Sequence, residues 1–410
     1  MQHSTDGEVH TAVLANVEMS SLCHPERLLM KITAIETILY PTGVVVHAGR
    51  VAWLWVRIHT DEGVIGLGET FPSGEAERAV VEKHLARILL GQDPRDIERL
   101  WQDMFVAISF PGWAGAEMRA ISAIDIALWD LAGKAAGEPV WRMLGGKCRD
   151  RIRTYNTCYD HVYDFNSDAG KLAEDLLASG IRAMKIWPFD RAALRNRGQY
   201  LTREDMEEGL APVRQIHEAV GDAMEIAMEF HGYWNLPSAA KIARALEPYN
   251  IMWLEEMLPQ DNAESYARLA KLVRQPLCLS ERLMTRFQFR ELLENGAPQF
   301  IMPDIAWCGG FTEARKIATL ADTYYLPICP HNCGGPIQHA ASIHLAAHVP
   351  NLFILESVRR HYLKEYVGLV NDTMPAADGF ISVPQAPGHG MELDPSVFEM
   401  EDVDVRRITL

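Results

Sequence analysis

Three glutamates follow short apolar runs at equal intervals in the second half of this 410-residue chain. Glu229, Glu255 and Glu281 are spaced 26 residues apart, which is about the length of one strand–helix unit in a parallel barrel of roughly 250 residues. The active sites of such barrels lie at the carboxyl ends of the strands, so the three carboxylates would be neighbours. Unpaired carboxylates repel each other in a pocket, whereas Mg²⁺ prefers oxygen ligands. We therefore expect a site for one Mg²⁺ per subunit.

Zinc suits this pattern less well because it favours histidine and cysteine ligands. The paired histidines expected after the first strand of a zinc hydrolase barrel do not occur in the sequence. Cys329 and Cys333 bracket His331, but no second ligand cluster accompanies them. We interpret these two cysteines as incidental.

An aspartate and a histidine follow the next two apolar runs. Asp304 and His331 are 27 residues apart, again about one strand–helix unit. A carboxylate bonded to one imidazole nitrogen fixes the tautomer and raises the basicity of the other nitrogen. We predict that His331 is a general base and that Asp304 orients it. His231 lies two residues after Glu229, so strand alternation would turn it toward the same site, where it could be a second acid or base.

The second and eighth apolar runs also end in polar residues. Lys185 and Trp187 alternate at the end of the second run, so both would point inward, and Lys185 could hold a substrate carboxylate. The alternative is that Lys185 pairs with a neighbouring glutamate and that Trp187 only packs. Glu356 ends the eighth run, and the same two readings apply to it: a role toward the substrate or pairing with a neighbouring charge.

The elements that must position these residues form the pattern of a parallel barrel. After residue 150, short apolar runs alternate with helical segments seven times and end in a final strand, which predicts a modified (β/α)7β TIM-type barrel in the α/β class. The predicted strands are Ile152–Thr157, Ile181–Trp187, Met224–Glu229, Ile251–Glu255, Pro276–Ser280, Gln299–Pro303, Leu326–Pro330 and Leu352–Glu356. A doubly wound open sheet would need a glycine-rich phosphate loop after its first strand, and the sequence has none there.

Residues 31–150 have a different organisation. The segment Val51–Ile58 is rich in β-forming residues, and Asp61–Gly63 is a hairpin signal. A helix with one apolar face follows and ends near Gly137. We predict an α+β capping domain over residues 31–150, a barrel over 151–357 and an extension over 1–30. We interpret Gly63, Gly66 and Gly68 as turn glycines of this hairpin.

Composition excludes several classes of partner. The net charge of −16 argues against nucleic acid and anionic membranes, which need clustered Lys and Arg. No stretch approaches the length of a membrane span. Seven cysteines, an odd number, indicate free thiols in the cytoplasm, and the first ten residues lack the pattern of a secretory signal. We expect a small-molecule carboxylate as substrate and a homo-oligomer, at least a dimer.

Three sequence stretches together resemble the enolase superfamily, specifically its mandelate racemase and muconate lactonizing enzyme branch. They are Ala123–Lys134, Trp253–Glu256, and Pro303-Asp304 followed by Gly309-Gly310. The resemblance runs from about residue 31 to the carboxyl terminus. It implies Glu229, Glu255 and Glu281 as the Mg²⁺ ligands, Asp304 and His331 as the dyad, and Glu356 as a hydrogen-bond donor to the substrate carboxylate.

The same resemblance implies what surrounds the barrel mouth. Residues 358–410 would complete the cap, and loops at Pro41–Arg50 and Ser109–Trp113 would lie over the site and set substrate choice. His47, Arg50 and Trp307 are therefore candidates for substrate binding, beside Lys185 and Trp187.

One departure from the branch favours a particular reaction. Its racemases carry a catalytic lysine where this sequence has Trp187, whereas members with a histidine at the position of His231 resemble sugar-acid dehydratases. The predicted enzyme is a hydro-lyase: His331 takes the α-proton, His231 assists loss of the β-hydroxyl, and the product is a 2-keto-3-deoxy acid. An epimerase or cycloisomerase acting through the same enediolate stays open. A catalytically silent binding protein would have lost a metal carboxylate or the dyad, and all five positions are filled.

Overall fold

The structure of the protein is a computed structural model that describes residues 30–46, 49–159 and 162–410. It contains a parallel barrel-type sheet wrapped by helices and a separate antiparallel sheet built mainly from the amino-terminal region. The predicted fold class is confirmed.

The amino-terminal region supplies most of the capping unit. Its elements are β1 (Ile32–Val46), β2 (Gly49–Thr60), β3 (Ile65–Thr70), α1 (Glu75–Val80), α2 (Ala86–Leu89), α3 (Ile97–Ser109), α4 (Ala116–Ala136) and α5 (Val140–Met143). A π-helical turn, Val81–Leu85, joins α1 to α2. The predicted hairpin turn lies between β2 and β3, where Gly63 has a φ of 78° that favours glycine.

The barrel follows the cap along the chain. Its elements, in order, are β4 (Arg151–Thr157), α6 (Ala169–Ala178), β5 (Ala183–Ile186), α7 (Asp190–Asn196), α8 (Arg203–Val220), β6 (Glu225–Glu229), α9 (Leu236–Leu246), β7 (Trp253–Glu255), α10 (Ala263–Ala270), β8 (Leu277–Leu279), α11 (Thr285–Glu294), β9 (Phe300–Ile301), α12 (Gly310–Thr323), α13 (Pro336–His348) and β10 (Leu355–Ser357). The strands pair in parallel in the order β10-β4-β5-β6-β7-β8-β9. Two short strands complete the chain, β11 (Phe380–Ser382) and β12 (Asp404–Thr409).

The seventh predicted run, Leu326–Pro330, is not a regular strand. Instead, Ile328 forms single β-bridges to Ile301 on one side and to Leu352 on the other, which connect the two edges of the sheet. A further single bridge joins Asp304 and His331. The eighth predicted strand begins later than expected, at Leu355. Proline at positions 327 and 330 removes backbone donors from this segment, which prevents a continuous ladder.

The carboxyl-terminal segment returns to the cap. Strand β12 pairs antiparallel with β1, from Ala34 opposite Thr409 to Leu39 opposite Asp404. The cap sheet therefore has the order β12-β1-β2-β3 and takes one edge strand from the end of the chain.

A layer of apolar side chains fills the barrel beneath its carboxyl end. The eight residues of this layer, one from each strand position, are Tyr155, Ala183, Ala227, Trp253, Cys278, Met302, Cys329 and Ile354. Two residues further along the chain, seven of the eight positions carry the polar residues Thr157, Lys185, Glu229, Glu255, Asp304, His331 and Glu356. Because side chains alternate along a strand, the apolar layer places this polar layer directly above it.

The exception is the end of β8. Ser280 is the residue two positions after Cys278, but its φ is 98°, in the left-handed region that non-glycine residues rarely adopt. The next residue, Glu281, joins the carboxylate cluster in its place. One residue is therefore inserted between the apolar layer and the polar layer on this strand.

Helix α4 connects the cap to the barrel. A Cβ atom on Gly68 would lie 1.9 Å from the backbone oxygen of Ala123, so this glycine lets β3 pack directly on α4. The interpretation of Gly66 and Gly68 as turn glycines is wrong, since both lie within β3. On the barrel side, Oδ2 of Asp125 accepts from the backbone N–H of Thr312 at 3.0 Å.

Among the described residues, no helix is long and apolar enough to cross a membrane. The six cysteines in this part of the chain are free thiols.

Candidate active site

Three buried glutamates lie together at the carboxyl end of the barrel. Glu229 ends β6, Glu255 ends β7, and Glu281 follows β8. One carboxylate oxygen from each lies within 4.8 Å of the others. The structure thus brings together the three residues that the sequence spacing selected.

Lys185 supplies a positive charge among these carboxylates. Its Nζ lies 2.5 Å from Oε1 of Glu255. The same atom lies 2.9 Å from Oε1 of Glu356 and 3.6 Å from Oε2 of Glu229. The alternative reading of Lys185, pairing with neighbouring glutamates, is what the structure contains.

One lysine does not balance the negative charge of the cluster. Burial raises the pKa of Glu229 to about 7 and raises the pKa of Glu255 well above its ordinary value. Within the described residues, Oε2 of Glu229 has no hydrogen-bond partner. A buried set of three carboxylates, one oxygen of which receives no hydrogen bond, fits a hard divalent cation such as Mg²⁺, which takes oxygen ligands.

Asp304 and His331 form a buried pair beside this cluster. Nδ1 of His331 lies 2.6 Å from Oδ2 of Asp304. The carboxylate also accepts from the side-chain amide of Gln338 at 2.9 Å and from the backbone N–H of Ala306 at 2.7 Å. These contacts hold Asp304 in place, and Asp304 in turn directs Nε2 of His331 away from itself.

The Nε2 atom of His331 faces the carboxylates. It lies 3.4 Å from Oε2 of Glu281 and 3.7 Å from Oε2 of Glu356. Burial lowers the pKa of His331, but Cys333 and the two carboxylates raise it more, so it lies well above its ordinary value. Cys333, interpreted as incidental to metal binding, is not part of the carboxylate cluster, but its Sγ lies 3.2 Å from Nε2 of His331.

Glu356 accepts hydrogen bonds in this structure. It receives them from the backbone N–H of Asn332 at 2.7 Å and from the hydroxyl of Thr157. Burial raises the pKa of Glu356, but the positive charges of Lys185 and His331 lower it more, to about 2. In both of these bonds the carboxylate is the acceptor, and the donor role toward a substrate carboxylate stays a prediction.

His231 reaches the site by a different route from the one that strand alternation suggested. Strand β6 ends at Glu229, and His231 has a φ of 51°, so the alternation no longer applies to it. Its backbone N–H donates to Oε1 of Glu229 at 2.6 Å. Its Nδ1 lies 2.6 Å from Oδ2 of Asp190, which the sequence did not single out.

A cavity of about 610 Å³ lies over the polar layer, within the roughly 300–1,000 Å³ of small-molecule sites. Lys185, Trp187 and Arg50 line it, as do the two histidines. His47 lies outside the described residues. The predicted loop Ser109–Trp113 contributes none of the described lining residues, whereas Thr42 and Arg50 at the tip of the β1–β2 hairpin do.

Family comparisons agree with this geometry. Residues 31–145 match the family described as mandelate racemase / muconate lactonizing enzyme, N-terminal domain. Residues 168–397 match the family described as enolase C-terminal domain-like. The chain belongs to the mandelate racemase / muconate lactonizing enzyme family.

Curated relatives in this family include named dehydratases. The chain is 35% identical over 374 residues to D-galactonate dehydratase of Ralstonia nicotianae, covering 89% of this chain and 92% of the relative. It is 33% identical over 367 residues to D-xylonate dehydratase of Haloferax volcanii, covering 87% of each. The predictions of a dehydratase-like member of this family, and hence of an enzyme of the hydro-lyase type, are confirmed.

Solved structures in the family give the same result for the fold. A crystal structure of an enolase of the mandelate racemase subgroup from Agrobacterium tumefaciens is 43% identical to this chain, with a TM-score of 0.84. The match covers 92% of this chain and 99% of that one.

Trp187 directly follows β5, at the position where the resemblance to racemases predicts a catalytic lysine. Its ring packs against Phe165, with centroids 4.7 Å apart. It also meets the ring of His231 edge-on at 6.0 Å. Trp187 therefore both packs, as one reading of the sequence held, and forms a wall of the cavity beside His231.

Several cavity residues of this family member were not found from the sequence. Asp190 and His361 follow strands β5 and β10 by four residues, whereas the predicted residues lie at the strand ends themselves. Arg282 follows Glu281 directly. All three are polar residues within four positions after a strand, which is the signal in the sequence that marks them.

Proposed function

We propose that this enzyme dehydrates a sugar acid in a magnesium-dependent reaction that yields a 2-keto-3-deoxy acid. The observation that carries the proposal is the arrangement around the cavity: a carboxylate triad with His331 on one side and His231 on the other. Each histidine is bonded through Nδ1 to an aspartate at 2.6 Å.

Glu229, Glu255 and Glu281 would hold the metal ion. When bound, Mg²⁺ supplies positive charge that stabilises the negative charge developing on a substrate carboxylate as the α-proton leaves. Lys185, at 2.5 Å from Glu255, contributes a second positive charge on the same side of the cavity.

His331 is the proposed base. Its Nε2 lies beside Glu281 and Cys333 at the cavity wall, while Asp304 holds Nδ1. In the proposed step Nε2 takes the proton from the carbon next to the substrate carboxylate. Asp304 then stabilises the imidazolium that forms.

His231 is the proposed acid. The electron pair left on the α-carbon forms a double bond to the β-carbon as the β-carbon–oxygen bond breaks. His231 acts in its imidazolium form: the proton on Nε2 goes to the departing oxygen, which leaves as water, and the neutral ring keeps its hydrogen on Nδ1. The resulting enol tautomerises to the 2-keto-3-deoxy acid, so the reaction needs no oxidant, reductant or second substrate.

The relatives support this choice of substrate class. Two are named for dehydration of aldonic acids, D-galactonate and D-xylonate. Trp187 stands where the resemblance to racemases predicts a catalytic lysine, so the second strand keeps only the preceding Lys185 and a two-lysine racemisation is disfavoured. An epimerase would instead use His231 and His331 to move a proton between the two faces of one carbon, and it would produce no keto acid.

A product assay separates these reactions. The purified protein with Mg²⁺ is incubated with a panel of aldonic and aldaric acids that includes D-galactonate and D-xylonate, and keto acid is measured as its semicarbazone. We expect one or a few acids to give keto acid. Exchange of the α-hydrogen for deuterium in D₂O without keto acid would reject dehydration in favour of epimerisation.

We also propose that the protein is at least a dimer, which light scattering of the eluting species on a sizing column would test. A single species at the monomer mass of 46.1 kDa would contradict it.

A further inference from the structure

A second histidine–aspartate pair lies on the side of the triad opposite the Asp304–His331 pair. Asp190 follows β5 and His231 follows β6, which are neighbouring parallel strands. Asp304 and His331 lie beyond β8, on the far side of the glutamates. The triad, which spans the ends of β6, β7 and β8, is therefore flanked by one pair on each side.

The two pairs have the same atomic arrangement. In each, Oδ2 of the aspartate lies 2.6 Å from Nδ1 of the histidine. A carboxylate accepts the hydrogen bond, so the hydrogen is on Nδ1 and Nε2 is directed away from the aspartate. For His231, which lines the cavity, this fixes which nitrogen can meet a substrate.

The backbone at His231 is strained to reach this position. His231 has a φ of 51° and is followed by Gly232 at 72°, so two successive residues are left-handed. A non-glycine residue in this region costs of order 1–3 kcal/mol, and such residues concentrate at functional sites. The backbone thus leaves the extended path of β6 at His231, whose ring contacts Asp190.

The Asp190 carboxylate is largely buried and has few alternatives to His231. Its side chain is 10% exposed, and within the described part of the chain its Oδ1 has no hydrogen-bond partner. A buried carboxylate oxygen without a hydrogen bond is costly. The hydrogen bond from His231 to Oδ2 offsets part of that cost.

We propose that Asp190 is a positioning residue for proton donation: it holds His231 so that Nε2 meets the hydroxyl that departs from the β-carbon. This inference rests on the proposed function and deepens it, because it assigns the bond-breaking step to one pair and proton abstraction to the other. Asp190 itself does not touch the substrate in this scheme.

The test compares Asp190→Asn with wild type in two reactions of the same acid. One is keto-acid formation, and the other is α-deuterium exchange in D₂O, which needs His331 alone. We expect keto-acid formation to fall by about 10²–10⁴-fold, the usual contribution of general acid–base catalysis, while exchange continues. Asp222→Asn, an exposed aspartate at the opposite end of the barrel, serves as the matched control and should leave both rates unchanged.

A fluorinated substrate provides the decisive readout. In the 3-deoxy-3-fluoro analogue of the accepted aldonic acid, the leaving group is fluoride, which departs without a proton. We expect Asp190→Asn to release fluoride at the wild-type rate, as measured with a fluoride electrode. Asp190→Glu, which keeps the carboxylate, should recover part of the dehydration rate and covers the case in which the asparagine variant does not fold.

Three outcomes would overturn the inference. They are full dehydratase activity in Asp190→Asn, parallel loss of dehydration and exchange, and fluoride release that stays as slow as water loss. Failure of the proposed function is seen separately, because it appears in the wild-type protein as exchange without keto acid, whatever the variants do.

Discussion

Lys185 and Glu255 form a buried ion pair in the barrel mouth, with Nζ 2.5 Å from Oε1. Both side chains are almost inaccessible, at 4% and 0% exposure, so neither charge is screened by water. The lysine and a divalent cation would both neutralise the negative charge of the same carboxylates. The effects of Lys185 and of Mg²⁺ on stability should therefore be coupled.

Replacing Lys185 with methionine tests this coupling. Without Mg²⁺, Lys185→Met should lose about 3–5 kcal/mol of unfolding free energy, because buried carboxylates are left without their partner. Added Mg²⁺ should stabilise the variant more than it stabilises the wild type. The measurement is urea denaturation with and without Mg²⁺, with the exposed Lys271→Met as control. An equal Mg²⁺ effect in all three proteins would mean that the ion binds elsewhere.

Metal binding should depend on the triad and not on nearby acidity. Glu229→Gln removes a charged oxygen donor, and we expect the Kd for Mg²⁺ to rise by more than the roughly 10–100-fold that loss of an outer-shell partner costs. Glu225→Gln, at the other end of the same strand, is the control. Calorimetric titration of metal-free protein measures both. Wild-type affinity in Glu229→Gln would remove this residue from the ligand set.

The sequence identified the triad by regular spacing, but the spacing conceals an irregularity. The apolar layer advances by 26 residues from Ala227 to Trp253 and by 25 from Trp253 to Cys278. The strained Ser280 adds the missing residue, so Glu281 and not Ser280 enters the cluster. The choice of residue could be made from sequence, whereas the backbone conformation that permits it could not.

Asp190 illustrates what lay beyond the sequence. Its partner is 41 residues away, and their contact depends on a left-handed turn after β6 and on the path of the chain after β5. The periodicity of apolar residues and the positions of the strand ends predict neither the turn after β6 nor the path of the chain after β5. By contrast, Asp304 and His331 stand at equivalent positions two residues above the apolar layer, which is why alternation and spacing located them.

Buried histidines should lower stability on the acid side, and His344 and His339 are two of them. Nδ1 of His344 accepts from the backbone N–H of Trp141 at 3.1 Å, so this nitrogen has no room for a hydrogen, while Nε2 lies 3.2 Å from the carbonyl oxygen of His389. Burial, followed by the neighbouring His389, lowers the pKa of His344 to about 3. Burial also lowers the pKa of His339 to about 4.

The sign of the pH effect follows from these directions. An unfolded histidine, with a pKa near 6.5, takes up a proton that folded His344 does not, so stability is complete above pH 6.5 and falls as pH decreases toward 3. The loss is at most about 1.4 kcal/mol per pH unit for each such group. Glu69 and Asp125, whose pKa values burial raises to about 7, act in the opposite sense. The effect of one histidine is therefore read from the difference in the pH dependence of unfolding free energy between wild type and a variant that lacks it.

The experiment measures unfolding free energy between pH 7.5 and 5 for wild type, His344→Gln and the exposed His84→Gln. The slope of unfolding free energy against pH reports the number of protons taken up on unfolding. We expect this number to be smaller in His344→Gln than in wild type by up to one proton. In His84→Gln it should be unchanged. Identical slopes for wild type and His344→Gln would show that His344 titrates alike in the folded and unfolded states.

Packing of the cap on α4 should be intolerant of a single methyl group. In Gly68→Ala, the new Cβ would meet backbone atoms of Ala123 and Ala127 at 1.9 and 2.7 Å, and backbone cannot rotate away. We expect a loss at or beyond the upper end of the roughly 1–3 kcal/mol typical of overpacking. Gly296→Ala is the control: Gly296 has a φ of 66° and open space around it, so an alanine there meets no atom. Its cost is the backbone strain alone, about 1–2 kcal/mol. Thermal denaturation should rank Gly68→Ala as the less stable variant, and the reverse order would contradict the close contact.

The central claim is that His331, oriented by Asp304, removes the α-proton of a sugar acid. The most direct measurement follows the α-hydrogen of the accepted acid by proton NMR in D₂O with Mg²⁺, for wild type and His331→Asn. We predict that the wild-type signal disappears as 2-keto-3-deoxy acid forms and that His331→Asn shows neither exchange nor product. A His331→Asn variant that removes the α-hydrogen as fast as the wild type would contradict the account.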